Sequence, residues 1–371
     1  MPLGKNLRLA SFGSISLAIL GTELRLTLTT TDAGGVRGFS QLEIMRNIMH
    51  SLNWERDSTG FEGSALPCQH FDLIGGSGTG GLLAIMFTRL RMSIEEASDE
   101  FFTITEEVYR QDALDSSERS KRLRQCIEDM LQRRQLPLDI KLMEETPGND
   151  CAGYVDTISN EPNALKITHR FVVASLRNNL ETRMCFRTYP IRAQPSSQIT
   201  VVNAILATCA TQPAFTAVSV GERYRKREYV GAGFGGNNPI QEVITEAHLL
   251  FGGESNVSSL LSIGTGHPGI IALSPGINGP GMDEAMRDMM NDCEQKAQDM
   301  EQRLGPAGIY SRFSVDQGMQ NRHPDELADP GWITAQTEGY LTRHDTRDKL
   351  GIFVQNVNAE RRSVTLDQLS T

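Results

Sequence analysis

Three glycine-dense segments of this 371-residue chain hold the residue types and spacings that could do chemistry. They are Asp32-Ala33-Gly34-Gly35-Val36-Arg37-Gly38, Gly75-Gly76-Ser77-Gly78-Thr79-Gly80-Gly81 and Gly231-Ala232-Gly233-Phe234-Gly235-Gly236. The middle one follows the apolar run Phe71–Ile74 and precedes the helical pattern Leu82–Leu90, giving the order strand, turn, helix. That order serves two kinds of chemistry. Glycines can let a phosphate reach the N–H groups that open a helix, and Gly76-x-Gly78-x-x-Gly81 formally matches a dinucleotide fingerprint. The fingerprint expects an acid ending a second strand about twenty residues on. Here Glu95, Glu96, Asp99 and Glu100 fall inside a helical pattern instead, and a Walker lysine is missing. No cofactor is expected. The other chemistry is a nucleophile elbow, Gly-x-Ser-x-Gly, in which a strained strand-to-helix bend exposes a serine beside backbone N–H groups. Gly76, Gly78 and Gly80 keep the alternation, but Ser77 stands one place early.

Taken in order, the three segments resemble the motifs of fungal patatin-like phospholipases, a family of acyl hydrolases. That family carries an Asp-Gly-Gly-Gly-x-Arg-Gly oxyanion loop, a Gly-x-Ser-x-Gly elbow and an Asp-Gly-Gly/Ala motif, and it works with a serine–aspartate dyad. Asp32–Gly38, Gly76–Gly80 and Gly231–Gly233 occupy these places. Further matches are Ala207-Thr208-Cys209, Asn237-Asn238-Pro239, Ser262-Ile263-Gly264-Thr265-Gly266 and Phe313-Ser314-Val315-Asp316-Gln317-Gly318. The resemblance covers about residues 24–345 and implies a three-layer α/β/α patatin-like fold around a mostly parallel sheet. It also implies a lipid ester as the family's substrate, no cofactor and no metal.

The departures fall on the dyad. Gly78 stands at the nucleophile position and Gly231 at the aspartate position, while Ala33 replaces one glycine of the oxyanion loop. Gly34, Gly35, Val36, Arg37 and Gly38 keep the rest of the loop, and backbone N–H groups form such a hole whatever the side chains. The expectation is a pseudoenzyme that binds acyl lipid or regulates. Gly78→Ser with Gly231→Asp should then restore hydrolysis. The alternative is an active serine acyl hydrolase, a phospholipase A or lysophospholipase, with Ser77 as displaced nucleophile. A one-residue shift on a strand turns a side chain to the opposite face, and a serine without a positioned base is a poor nucleophile. Ser77 also reads as a helix N-cap. Glu228, three places before Gly231, faces the wrong way on a regular strand, and His70 and His267 read as loop or core residues. A third reading is a structural interaction module.

Composition is ordinary for a globular protein that can bury a sizeable core: 39% hydrophobic and 22% charged residues, with a net charge of −10. An acidic chain lacks the basic face that nucleic acid requires. Acyl lipid or a membrane surface met peripherally is the expected partner. Six cysteines without a CxxC pair indicate reduced thiols and a cytoplasmic setting. Residues 1–23 read as an uncertain leader, 24–345 as the patatin-like phospholipase domain and 346–371 as a C-terminal extension. Alternating strand and helix patterns give a mostly parallel sheet covered on both faces. Ser93 with Glu96 predicts a capping box, Gly148–Pro162 a surface loop. Met286, Met290, Cys293, Ala297, Met300 and Leu304 predict one helix stripe packed on the core.

Overall fold

The computed structural model describes residues 25–58, 65–143, 169–192, 198–267 without Phe234, 269, isolated positions within 282–289, 292–320, 328–358 and 363–370. The chain runs β1 (Arg25–Thr31), α1 (Gly38–Ser58), α2 (Pro67–His70), β2 (Leu73–Ser77), α3 (Gly78–Thr88), α4 (Ile94–Ile104) and α5 (Ser116–Arg133). It continues through β3 (His169–Leu176), β4 (Asn179–Arg187), α6 (Val201–Cys209), β5 (Val218–Val220), β6 (Arg227–Gly231), α7 (Ile240–Phe251) and β7 (Asn256–Ile263). The last elements are α8 (Glu294–Leu304), β8 (Tyr310–Phe313), α9 (Pro330–Leu341), α10 (His344–Asn358), β9 (Val364–Thr365) and α11 (Leu366–Ser370).

The sheet has the order β5-β6-β3-β2-β1-β7-β8, with β4 also pairing β3 and β9 also pairing β7. β3, β2, β1, β7 and β8 are mutually parallel, and the outer strands β4, β5, β6 and β9 are antiparallel to their neighbours. The fold is therefore a mixed α/β architecture with a central, mostly parallel sheet flanked by helices. Strand alternation explains the two cores. Leu26, Leu28, Leu73, Phe171, Val173 and Leu260 point to one side, where they meet Ile240 and Val243 of α7 and Met300 and Leu304 of α8. Ile74, Val172, Ala174, Leu261, Ile263 and Phe313 point to the other, against α1, α3, α4, α5, α6, α9 and α10. A parallel strand is covered on both faces, which is why Thr27, Thr29 and Thr31 of β1 are buried although their alternation with leucine looks half-solvated.

Local signals are met where they are strong. Ser93 Oγ accepts the Glu96 N–H and Glu96 Oε2 accepts the Ser93 N–H, which is the expected capping box opening α4. The methionine stripe holds only in part: Cys293, Ala297, Met300 and Leu304 are buried, whereas Met286 is half exposed at 53%. Met290, the leader 1–23 and the loop Gly148–Pro162 lie outside the described residues. Beyond the expected boundary at 345, Phe353, Leu366 and Leu369 are fully buried and β9 joins β7. None of the described helices is long and apolar enough to cross a membrane.

Candidate functional site

The strand expected to stop at Ile74 runs on to Ser77, and the helix expected from Leu82 starts at Gly78. The glycine turn is thus absorbed into the two elements, and the chain reverses at a single residue. Gly78 takes φ +56°, a left-handed conformation open to glycine at little cost. Gly76 lets α3 approach: a Cβ there would lie 2.5 Å from Gly80 O. These are the physical features of a strand-to-helix elbow.

Gly78 and Gly231 converge on one residue, Thr208 near the end of α6. The Gly78 N–H donates to Thr208 Oγ1 at 2.9 Å, and Thr208 Oγ1 donates to Val173 O at 2.7 Å. Gly231 ends β6, its N–H bonds Ala210 O at 3.0 Å, and a Cβ on it would point at Thr208 O, 2.9 Å away. Two positions 153 residues apart in sequence therefore meet the same residue, Gly78 through its N–H and Gly231 through the direction its Cβ would take. Thr208→Val keeps the shape but leaves the buried Gly78 N–H and Val173 O without that partner. It is expected to cost about 1–3 kcal/mol, read by chemical denaturation; an unchanged midpoint would show that the bridge contributes nothing.

The segment Asp32–Gly38, expected as an oxyanion loop, lies over this elbow. Ala33 keeps a negative φ and Gly35 takes φ +58°, so the alanine stands where a side chain is tolerated and the glycine where it is not. The Gly34 N–H donates to Thr79 Oγ1 at 3.3 Å. Val36 and Arg37 form a short 3-10 turn with Gly35, and Gly38 opens α1 against Phe101, which a Cβ would approach to 2.6 Å. Arg37 Nη1 reaches toward Gly266 O at 3.5 Å.

The base of the loop is held by charge. Asp32 is fully buried and sits 2.7 Å from Arg312 Nη2, as an ion pair without a well-angled hydrogen bond to either carboxylate oxygen. Arg312 Nη2 donates to Glu294 Oε1 at 2.6 Å and Nη1 to Ser262 Oγ at 2.9 Å, while Ser314 Oγ donates to Glu294 Oε1. Burial pushes the Asp32 carboxyl up to about 6, although Arg312 draws it back. Burial also works against Glu294, but there the charge and hydrogen bonds of Arg312, helped by Ser314, prevail and hold it below the ordinary value.

The sequence-level candidates scatter. Ser77 shares the face of Leu73 and Gly75, toward α7 and away from the Thr208 turn, since a Cβ on Gly75 would meet Val243. Its Oγ is buried without a hydrogen-bond partner, and it makes no side-chain cap to α3. Ser77 is the N-cap residue of α3 by position, as expected, but its hydroxyl does not cap, because the side chain of a strand's last residue is directed by the pleat. Glu228 pairs with Arg177 at 2.7 Å on the surface. His70 lies at the opposite end of β2 from the elbow. His267 Nδ1 accepts the Gly269 N–H at 2.9 Å. Cys209 comes nearest the elbow: its Sγ donates to Gly78 O at 3.3 Å, and burial pushes the thiol up to about 12, so it stays protonated and unreactive. Thr208 falls within the Ala207-Thr208-Cys209 match, whereas Arg312 and Glu294 carry no local signal as site residues. An arginine between Tyr310 and Phe313 on a buried strand is the one hint the sequence offers.

No curated protein matches the chain. Among solved structures it is similar to VipD from Legionella pneumophila, at 10% identity and a TM-score of 0.40, over 86% of this chain and 67% of that one. The family model described as patatin-like phospholipase matches residues 30–244, an interval that holds the loop, the elbow and Gly231. With more than half of its length matched, the chain belongs to the patatin-like phospholipase family.

Proposed function

We propose that this protein is a patatin-like protein without hydrolytic activity, one that binds acyl lipid or regulates through that binding. The observation that carries the reading is the convergence of Gly78 and Gly231 on Thr208, with neither an attacking oxygen nor a proton acceptor on either residue. Deleting either member of a cooperating pair removes nearly all of the pair's contribution, and here both places are glycine. The two hydroxyls of the turn do not replace them. Thr79 Oγ1 accepts the Gly34 N–H, and Ser77 Oγ lies on the other face of the sheet with no base bonded to it. The acyl-lipid part of the reading, with a peripheral association with membranes, is supported by family membership, and the cytoplasmic setting by the six cysteines without a CxxC pair.

Vesicle co-sedimentation and a fluorophosphonate probe test the two parts. The protein is expected to sediment with phosphatidylcholine vesicles carrying anionic lipid. It should remain unlabelled by the probe and release no p-nitrophenol from p-nitrophenyl butyrate above buffer. Labelling that Ser77→Ala abolishes would replace this reading with a displaced-serine hydrolase. Absence from the pellet at every lipid composition would leave a structural module.

A further inference from the structure

We infer that Ala33 is a plug, whose methyl group fills the place that a side chain at position 78 would need. An ideal Cβ built on Gly78 would lie 2.8 Å from Ala33 Cβ and 3.3 Å from Ala33 Cα, and it meets nothing else within 4 Å beyond its chain neighbours. Distances below 3.0 Å do not occur between real carbon atoms of this kind, so one of the two must yield. The obstacle is a single methyl. The bend of Gly78 itself leaves the space open.

The loop that carries the methyl cannot easily swing away. The Ala33 N–H donates to Asn237 O at 2.9 Å, and Thr265 Oγ1 donates to Ala33 O at 3.4 Å. Gly34 is pressed on Thr265 so closely that a Cβ there would come within 2.3 Å of its methyl. Gln41 Nε2 donates to Asp32 O at 2.9 Å, and the Asp32 N–H donates to Ile263 O at 3.1 Å. On the elbow side, Thr79 Oγ1 takes the Gly34 N–H. The site is thereby occupied from within: a methyl in the nucleophile's place, and a threonine hydroxyl on one of the loop's N–H donors.

This inference deepens the proposed reading by naming what closes the vacated site, and its test is independent of substrate. A double-mutant cycle of Gly78→Ala and Ala33→Gly isolates the contact. The left-handed backbone at position 78 strains any alanine equally in both backgrounds, so that strain cancels. Gly78→Ala is expected to lower Tm by roughly 5 °C or more in the wild type and by distinctly less in the Ala33→Gly background, where only the backbone strain common to both remains. Equal losses in the two backgrounds, or failure of both Gly78→Ala proteins to fold, would overturn the plug. Either result leaves the probe experiment on hydrolysis as it stands, and a labelled wild-type protein would leave the cycle as it stands.

Discussion

Arg312→Met is expected to destabilise the fold by about 3–5 kcal/mol, the cost of removing one member of a buried ion pair. Asp32 has no exposed surface, and its nearest cation is the guanidinium 2.7 Å away. Glu294 and Ser262 lose the same partner. Asp32→Asn in the Arg312→Met background removes one stranded charge and should recover a large part of the loss. Equal stabilities of the single and double variants would show that Asp32 is not the group left behind. The wild type carries a pH signature of the same cluster. Burial pushes the folded Asp32 carboxyl from an ordinary 3.8 up to about 6, so the folded state holds the proton to higher pH. Its contribution is then full below about pH 4 and falls as pH rises through about 6, by on the order of 2–3 kcal/mol. Glu294 works oppositely, since its folded value is lowered: its contribution is present above its ordinary value and fades in acid. Subtracting the profile of Asp32→Asn from that of the wild type isolates the first term. A difference curve flat between pH 4 and 7 would contradict the assignment.

The sequence is most legible where the cause is local. Ser93 and Glu96 stand three residues apart, so the capping box can be read without any tertiary information. The glycine turn is read correctly as a bend between strand and helix, but its boundaries move inward by three or four residues on each side. Glycine is a poor former of both elements, so local propensity argues for a loop. Close packing of α3 on β2 at Gly76, and on the end of β1 at Gly80, overrides that preference. Within β1, alternation reports only two faces; it is the strand–helix alternation of the whole chain that tells that helices cover both, and the buried threonines agree. What cannot be read is contact between distant positions. Asp32, Glu294 and Arg312 come from β1's end, α8's start and β8. Ala33 and Gly78 are 45 residues apart and meet through one methyl. Read singly, Ala33 is a tolerable change in an oxyanion loop. Only beside Gly78 does it become the other half of a steric exchange.

That exchange sets the terms for restoring chemistry. The sequence alone points to two substitutions, Gly78→Ser and Gly231→Asp, yet the serine's Cβ would be driven into Ala33 Cβ at 2.8 Å. The double variant is therefore expected to be destabilised and to remain unlabelled by a fluorophosphonate. Adding Ala33→Gly leaves the serine only the Ala33 Cα position at 3.3 Å, a contact that a small adjustment relieves. The aspartate meets resistance too, because its Cβ would stand 2.9 Å from Thr208 O, a backbone atom that yields less readily than a side chain. The triple variant should consequently fold with a lower Tm than the wild type and acquire probe labelling and ester turnover. A positioned general base is worth typically 10²–10⁴-fold, so turnover should exceed that of Ala33→Gly/Gly78→Ser by about 10²-fold or more. A triple variant with a native circular dichroism spectrum and no labelling would mean that the oxyanion loop does not present its N–H groups to position 78. Labelling of the double variant as strong as that of the triple would mean that the loop moves aside without help, and that Ala33 exerts no hold on the site.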